Sequence, residues 1–92
     1  MIQTFKCPDT ENLFHGLRVA RFVNIERVAL RKLEQLNLAQ VIDDMRVPPG
    51  NRLELLQGSR AGQWSVRIND QWRLCFRGEN NHALDVEIVD YH

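Results

Sequence analysis

The 92-residue chain holds two cysteines, three prolines, a single tyrosine and no surplus charge of either sign. Each shortage excludes something. Cys7 and Cys75 lack the close spacing of a zinc site or a redox pair, so they read as small buried hydrophobes and no metal or other cofactor is expected. No stretch approaches the roughly 20 consecutive apolar residues of a membrane helix. The opening MIQTFKCPDT has no basic region followed by an apolar run, so no secretory leader is expected and a soluble cytoplasmic protein is. With 43% hydrophobic and 26% charged residues, residues 1–92 suit one globular domain and leave no room for a second.

The neutral total conceals a partition. From Met1 to Met45 six basic residues balance six acidic ones. From Arg46 to Arg77 every basic residue is arginine (Arg46, Arg52, Arg60, Arg67, Arg73, Arg77) against only Glu54 and Asp70, a net +4. The remainder carries Glu79, Asp85, Glu87 and Asp90, a net −4. A guanidinium fork binds phosphate and carboxylate alike. Two readings therefore stand: an arginine surface for phosphate, or arginines that pair with the acidic tail.

The apolar spacing predicts an N-terminal strand, helices, then strands. IQTF alternates weakly as a short strand. Asp9 or Thr10 would cap a brief helix holding Leu13 and Phe14 that ends near Gly16. Asn24 would cap the main helix, with Ile25, Val28, Ala29, Leu33 and Leu36 on its apolar face. Leu38, Val41, Ile42 and Met45 repeat that spacing and predict a second helix forming a hairpin with the first. Pro48-Pro49-Gly50-Asn51 then ends helical structure.

In QWSVRI, Trp64, Val66 and Ile68 alternate with polar residues; in WRLCF, Trp72, Leu74 and Phe76 do the same. For both apolar sets to meet one core in an antiparallel hairpin, Ile68 must oppose Trp72, leaving Asn69-Asp70-Gln71 as a three-residue turn. That register sets Arg67 across from Arg73, Ser65 beside Cys75 and Gln63 near Arg77. Like charges directly opposite are unfavourable, so the pair requires an anion or a carboxylate. Leu84, Val86 and Ile88 predict a third strand with one buried face. Continuing the alternation would send Asp90 and His92 to the core side and Tyr91 to the arginine side, though the rule is weak at a sheet's end. Pairing of that strand with WRLCF would bring Tyr91 and His92 near one end of the arginine face.

The block Gly58, Arg60, Gly62, Trp64, Ser65, Val66, then Asn69, Trp72, Arg73, then the terminal Asp90-Tyr91-His92, resembles in order and spacing the HigB family of toxins within the RelE/ParE superfamily. The run PPGNRLE with NDQWR resembles the subgroup also called GraT. The resemblance covers essentially the whole chain. It implies an α/β (α+β) fold of the RelE-like microbial ribonuclease kind, with the N-terminal strand and helices packed on one face of a mainly antiparallel sheet and an open concave face that meets RNA. It implies a toxin of a type II toxin–antitoxin system: a ribosome-dependent messenger RNA endonuclease, or mRNA interferase, that inhibits translation. A HigA-type helix-turn-helix antitoxin would neutralise it, largely away from the arginine face, and would alone mediate contact with the DNA operator.

Cleaving RNA through its own 2′-hydroxyl requires a base, cationic groups for charge developing on phosphorus, and an acid for the leaving oxygen. Arg73 suits the cationic role, with Arg67 adjacent. His92 suits proton transfer because imidazole titrates near neutral pH. Tyr91 can stack on a base or bond the phosphate, and Asp90 can orient its neighbours. The chain departs from its relatives at Glu54 and Gln57, where a histidine and a lysine are usual. Glu54 then stands either as a base or in a salt bridge with an arginine such as Arg52. The losses imply a weak nuclease that relies on the ribosome to position its substrate. Arg52, Arg60 and Arg77 are further candidates for RNA backbone contact, or are structural. Trp64 and Trp72 read as core, His15 and His82 as solvated, and Asn69 and Asp70 as turn residues. A gyrase-directed toxin of the ParE type and a non-catalytic binding module of a toxin–antitoxin repressor complex remain alternatives.

Overall fold

The computed structural model describes residues 1–90. Two helices, α1 (Pro8–Phe14) and α2 (Glu26–Leu38), precede four strands, β1 (Glu54–Leu55), β2 (Gln63–Arg67), β3 (Trp72–Glu79) and β4 (His82–Asp90). The strands form one sheet in the order β1-β2-β3-β4, every pair antiparallel. Among the described residues no helix is long and apolar enough to cross a membrane.

Proline at the first helical position starts α1, where its missing N–H costs nothing. Cys7, not Asp9 or Thr10, is the N-cap, and it caps with no side-chain bond. Both expected caps do other work. Thr10 is fully buried and its hydroxyl accepts from the Ile88 N–H at 2.9 Å, tying α1 to β4. Asp9 pairs with Arg21 at 2.8 Å. Similarly, Ile25 rather than Asn24 caps α2, whose stripe of Ala29, Leu33 and Leu36 is buried against the sheet. Phe22, from the 3-10 turn before α2, stands edge-on to Trp72 with ring centroids 5.5 Å apart. The core closes on Val66, Leu74, Phe76, Val86 and Ile88 from the sheet.

The second helix and its hairpin are absent. Ala39 is extended, Leu38 is 79% exposed, and only a 3-10 turn spans Ile42–Arg46. Local polar groups defeat the apolar spacing here. The Asp44 carboxylate accepts from the N–H groups of Gln40 (3.0 Å) and Val41 (3.3 Å), satisfying as a turn what a helix would have to bond. The N-terminal segment likewise forms only two parallel bridges to β4, Ile2 to Ala83 and Phe5 to Val86. Between them Thr4 Oγ1 takes the Asp85 N–H at 2.8 Å, because β4 bulges at that residue.

Candidate active site on the arginine face

The hairpin register follows the alternation of apolar residues. Gln63 pairs with Arg77, Ser65 with Cys75 and Arg67 with Arg73, while the Ile68 N–H donates to the Trp72 carbonyl at 3.0 Å. Asn69 closes the turn, its side-chain oxygen accepting from the N–H groups of Gln71 (2.9 Å) and Trp72 (2.7 Å). With α2 on the inner face, the alternate residues form a second, polar face. Its central row runs across all four strands as Glu54, Ser65, Cys75 and Glu87.

The bulge moves the expected inner face of β4. Cys75 pairs with Glu87 but Arg77 with Leu84, so β4 spends one residue more than β3 over that interval. Asp85 absorbs it with φ +53°, a left-handed conformation that aspartate tolerates. Ala83, not Leu84, is therefore buried with Val86 and Ile88, and Leu84 lies half-buried opposite Arg77.

Each arginine of the opposed pair has a carboxylate. Arg73 Nη1 donates to Glu54 Oε1 at 3.0 Å and approaches Ser65 Oγ at 3.4 Å. Arg67 donates to Asp70 in the turn. The repulsion of the pair is thus answered from β1 on one side and the hairpin tip on the other. Arg67, bonded and charged, holds the Asp70 carboxyl below the usual carboxylate range. Glu54 forms its salt bridge, but with Arg73 rather than Arg52. Arg52 instead turns the chain at φ +48° just before β1, its side chain exposed.

That turn is anchored by Asn51, which sequence reasoning took only as a turn residue. Fully buried, its amide donates to the Met45 carbonyl (3.0 Å), the Val47 carbonyl (3.3 Å) and Gln35 Oε1 (3.2 Å), and its oxygen accepts from Lys32. A buried amide so satisfied fixes its loop. Glu54 is placed by that loop three residues on. The PPGN turn marked the position, but nothing local disclosed the partners on α2.

The other end of the face pairs with the acidic strand. Arg60 Nη1 donates to Glu87 Oε1 and Gln63 Oε1, both at 3.0 Å, and Lys6 Nζ lies 3.8 Å from the same Glu87 oxygen. Arg77 bonds Asp85 at 2.8 Å and lies 3.6 Å from Glu79, and the Asp85 contact raises its pKa. The expected pairing of arginines with the acidic tail is therefore found at this end. Ser65 and Cys75 are fully buried on this polar face, and burial pushes the Cys75 thiol up. Lys6 and Glu87 were missed as site residues, because Lys6 precedes every motif and Glu87 showed itself only as the outward position of an alternating strand.

Asp90 pairs with Trp72 and accepts from Gln71 at 3.1 Å, one register step from the pairing of Arg73 with Val89. It therefore stands at the same end of the sheet as Arg67 and Arg73, in register with Trp72 of the inner face as the alternation predicts. Gln57 is exposed. Tyr91 and His92 lie outside the described residues.

The comparisons with known proteins agree with this architecture. Toxin HigB-1 of Vibrio cholerae serotype O1 is 47% identical over 62 residues, 67% of this chain and 65% of that protein. Endoribonuclease HigB of Proteus vulgaris is 37% identical over 41 residues, 45% of each chain. The chain thus spans less than two thirds of the length of these relatives. In fold, the heterotetrameric YoeB–YefM toxin–antitoxin complex of Staphylococcus aureus contains a chain that superposes with a TM-score of 0.62 at 18% identity, covering 100% of this chain and 98% of that one. Residues 11–92 match the family described as the RelE-like toxin of the type II toxin–antitoxin system HigB, and the chain belongs to that HigB-like toxin family.

Proposed function

We propose that residues 1–92 act as one toxin domain of a type II toxin–antitoxin system, a metal-independent endoribonuclease that cuts messenger RNA on the ribosome and so stops translation in the cytoplasm. The observation that carries this reading is the cross-strand pair of Arg67 and Arg73 on the helix-free face of the sheet, at the end where Asp90 stands. Two guanidinium groups on adjacent strands suit the non-bridging oxygens of a phosphodiester, which gain charge as the 2′-oxygen attacks. Arg73 is the principal phosphate ligand, and Arg67, Arg60, Arg52 and Arg77 hold the backbone to either side.

Proton transfer falls to His92, whose imidazole can exchange a proton near neutral pH. Tyr91 stacks on or hydrogen-bonds the substrate, and Asp90 orients these neighbours. Glu54 is the second candidate proton acceptor, engaged by Arg73 in the absence of RNA. With glutamate and glutamine at positions 54 and 57, the chain relies on the ribosome to hold the substrate in line. The naming of a family relative as an endoribonuclease supports the activity. The fold relative solved with its antitoxin supports an antitoxin partner, here of the HigA helix-turn-helix type, which binds largely outside the arginine face and carries the complex to its operator.

The test is to map the 5′ ends of cellular messenger RNA after induction, with and without assembled ribosomes. New ends that require ribosomes and vanish in Arg73→Ala are the expected result. Loss of DNA supercoiling activity with translation intact would instead assign a gyrase target. Undiminished toxicity of Arg73→Ala and His92→Gln variants that still fold and bind antitoxin would leave a non-catalytic module.

A further inference from the structure

The opposed arginines and the carboxylates upon them are held very differently. Arg67 and Arg73 rise from the long central hairpin, with side chains only 31% and 19% exposed. Their partners come from the edge strand and the hairpin tip. Glu54 belongs to a two-residue edge strand whose residues are both exposed, and its side chain is 56% exposed. Asp70 sits at the hairpin tip with its side chain 99% exposed. The cations are fixed, and each anion can leave with little disturbance to the core.

Resting on the RNA-binding reading of this face, we propose that Glu54 and Asp70 are built-in phosphate surrogates that RNA must displace, and that they set the affinity of the arginine pair for the nucleic-acid backbone. Glu54 Oε1 accepts from Arg73 Nη1 at 3.0 Å, filling an acceptor position that a phosphate oxygen would otherwise take. Ser65 Oγ, 3.4 Å from the same nitrogen and fully buried, stays with the arginine when the carboxylate swings out. An anion must answer the like charges of Arg67 and Arg73 whether or not RNA is present. In its absence the two carboxylates offset the charges of the pair, so free RNA must compete with them. Exposed ion pairs are individually weak. The surrogates therefore attenuate binding without abolishing it, leaving a site that fills when another surface, such as the ribosome, holds the strand against it.

The test uses the full chain and a short fluorescein-labelled single-stranded RNA with 2′-O-methyl groups, which cannot be cut through its own 2′-oxygen, with affinity read by anisotropy across a salt series. Glu54→Gln and Asp70→Asn keep the size of the side chain and remove its charge. Each is expected to bind about three- to fivefold more tightly than the parent, the ceiling set by the weakness of an exposed pair. The salt dependence should steepen by about 0.7 for each arginine released to a phosphate. Glu54→Asp should stay near the parent, and Arg73→Ala should bind more weakly with either partner. If Arg73→Ala weakens binding while Glu54→Gln and Asp70→Asn leave it unchanged or reduce it, the surrogate role is overturned and the arginine site stands. If Arg73→Ala also leaves binding unchanged, the RNA-binding reading of the face fails with it.

Discussion

The two ends of the arginine face use the same residue type in opposite ways. At one end Arg60 and Lys6 converge on Glu87, a carboxylate of β4 only 15% exposed. At the other, Arg67 and Arg73 are better covered than the carboxylates that touch them. Where the anion is buried, removing a cation strands a charge away from water, so Arg60 supports the fold in addition to the backbone contact proposed for it. Where the anion is exposed, it returns to water at little cost, and the cation is available to a ligand. Burial of the acid, more than the presence of a salt bridge, separates the two kinds of arginine.

The largest expected effect breaks the comparison at its exposed end. Arg73→Ala should lower RNA cleavage on ribosomes by roughly 100- to 1000-fold, the usual consequence of deleting one donor to a developing oxyanion. Its cost in stability should be small beside that loss, because the carboxylate it abandons, Glu54, is exposed and returns to water. A denaturant titration run beside the cleavage assay separates the two quantities. Large destabilisation with unchanged cleavage would reverse the assignment of that end.

Glu87→Ala addresses the buried end and should act on the fold. Loss of the carboxylate leaves Arg60 and Lys6 facing one another over the buried Ser65 and Cys75, at a cost of about 1–3 kcal/mol. For a domain of this size each kcal/mol lowers the melting temperature by about 4–8 °C. Arg77→Gln sharpens the contrast from a third position. Its contacts with Asp85 and Glu79 are largely exposed, so the melting temperature should move less than in Glu87→Ala and the difference should shrink in high salt.

Much of this face was legible before any coordinates. Two strands whose apolar residues must share one core admit few registers, and the pairing of Ile68 with Trp72 carries Arg67 to Arg73 with no freedom left. Other features depend on contacts distant in sequence. The bulge at Asp85 exchanges Ala83 for Leu84 on the inner face, and the strand pattern around it does not announce the extra residue. The missing second helix was lost to hydrogen bonds of Asp44, against an apolar spacing that reads as helical. Glu54 was recognised as a candidate for a salt bridge, yet its partner lies 19 residues on, reached through a strand pairing rather than through the adjacent Arg52.

Asp70 gives the smallest effect and the finest discrimination. Its carboxyl is held below the ordinary range by Arg67, so folding favours the ionised form. The resulting stabilisation is fully present above the ordinary carboxylate pKa of about 3.9 and is lost as pH falls through the lower folded value. Asp70→Asn removes that contribution. Parent and variant should therefore differ slightly in melting temperature near neutrality and converge in acid, where Arg67 no longer has a charged partner at the turn. A difference that persisted unchanged into acid would mean that Asp70 supports the hairpin tip through its shape rather than its charge, and would remove the reason to regard it as an anion that phosphate can replace.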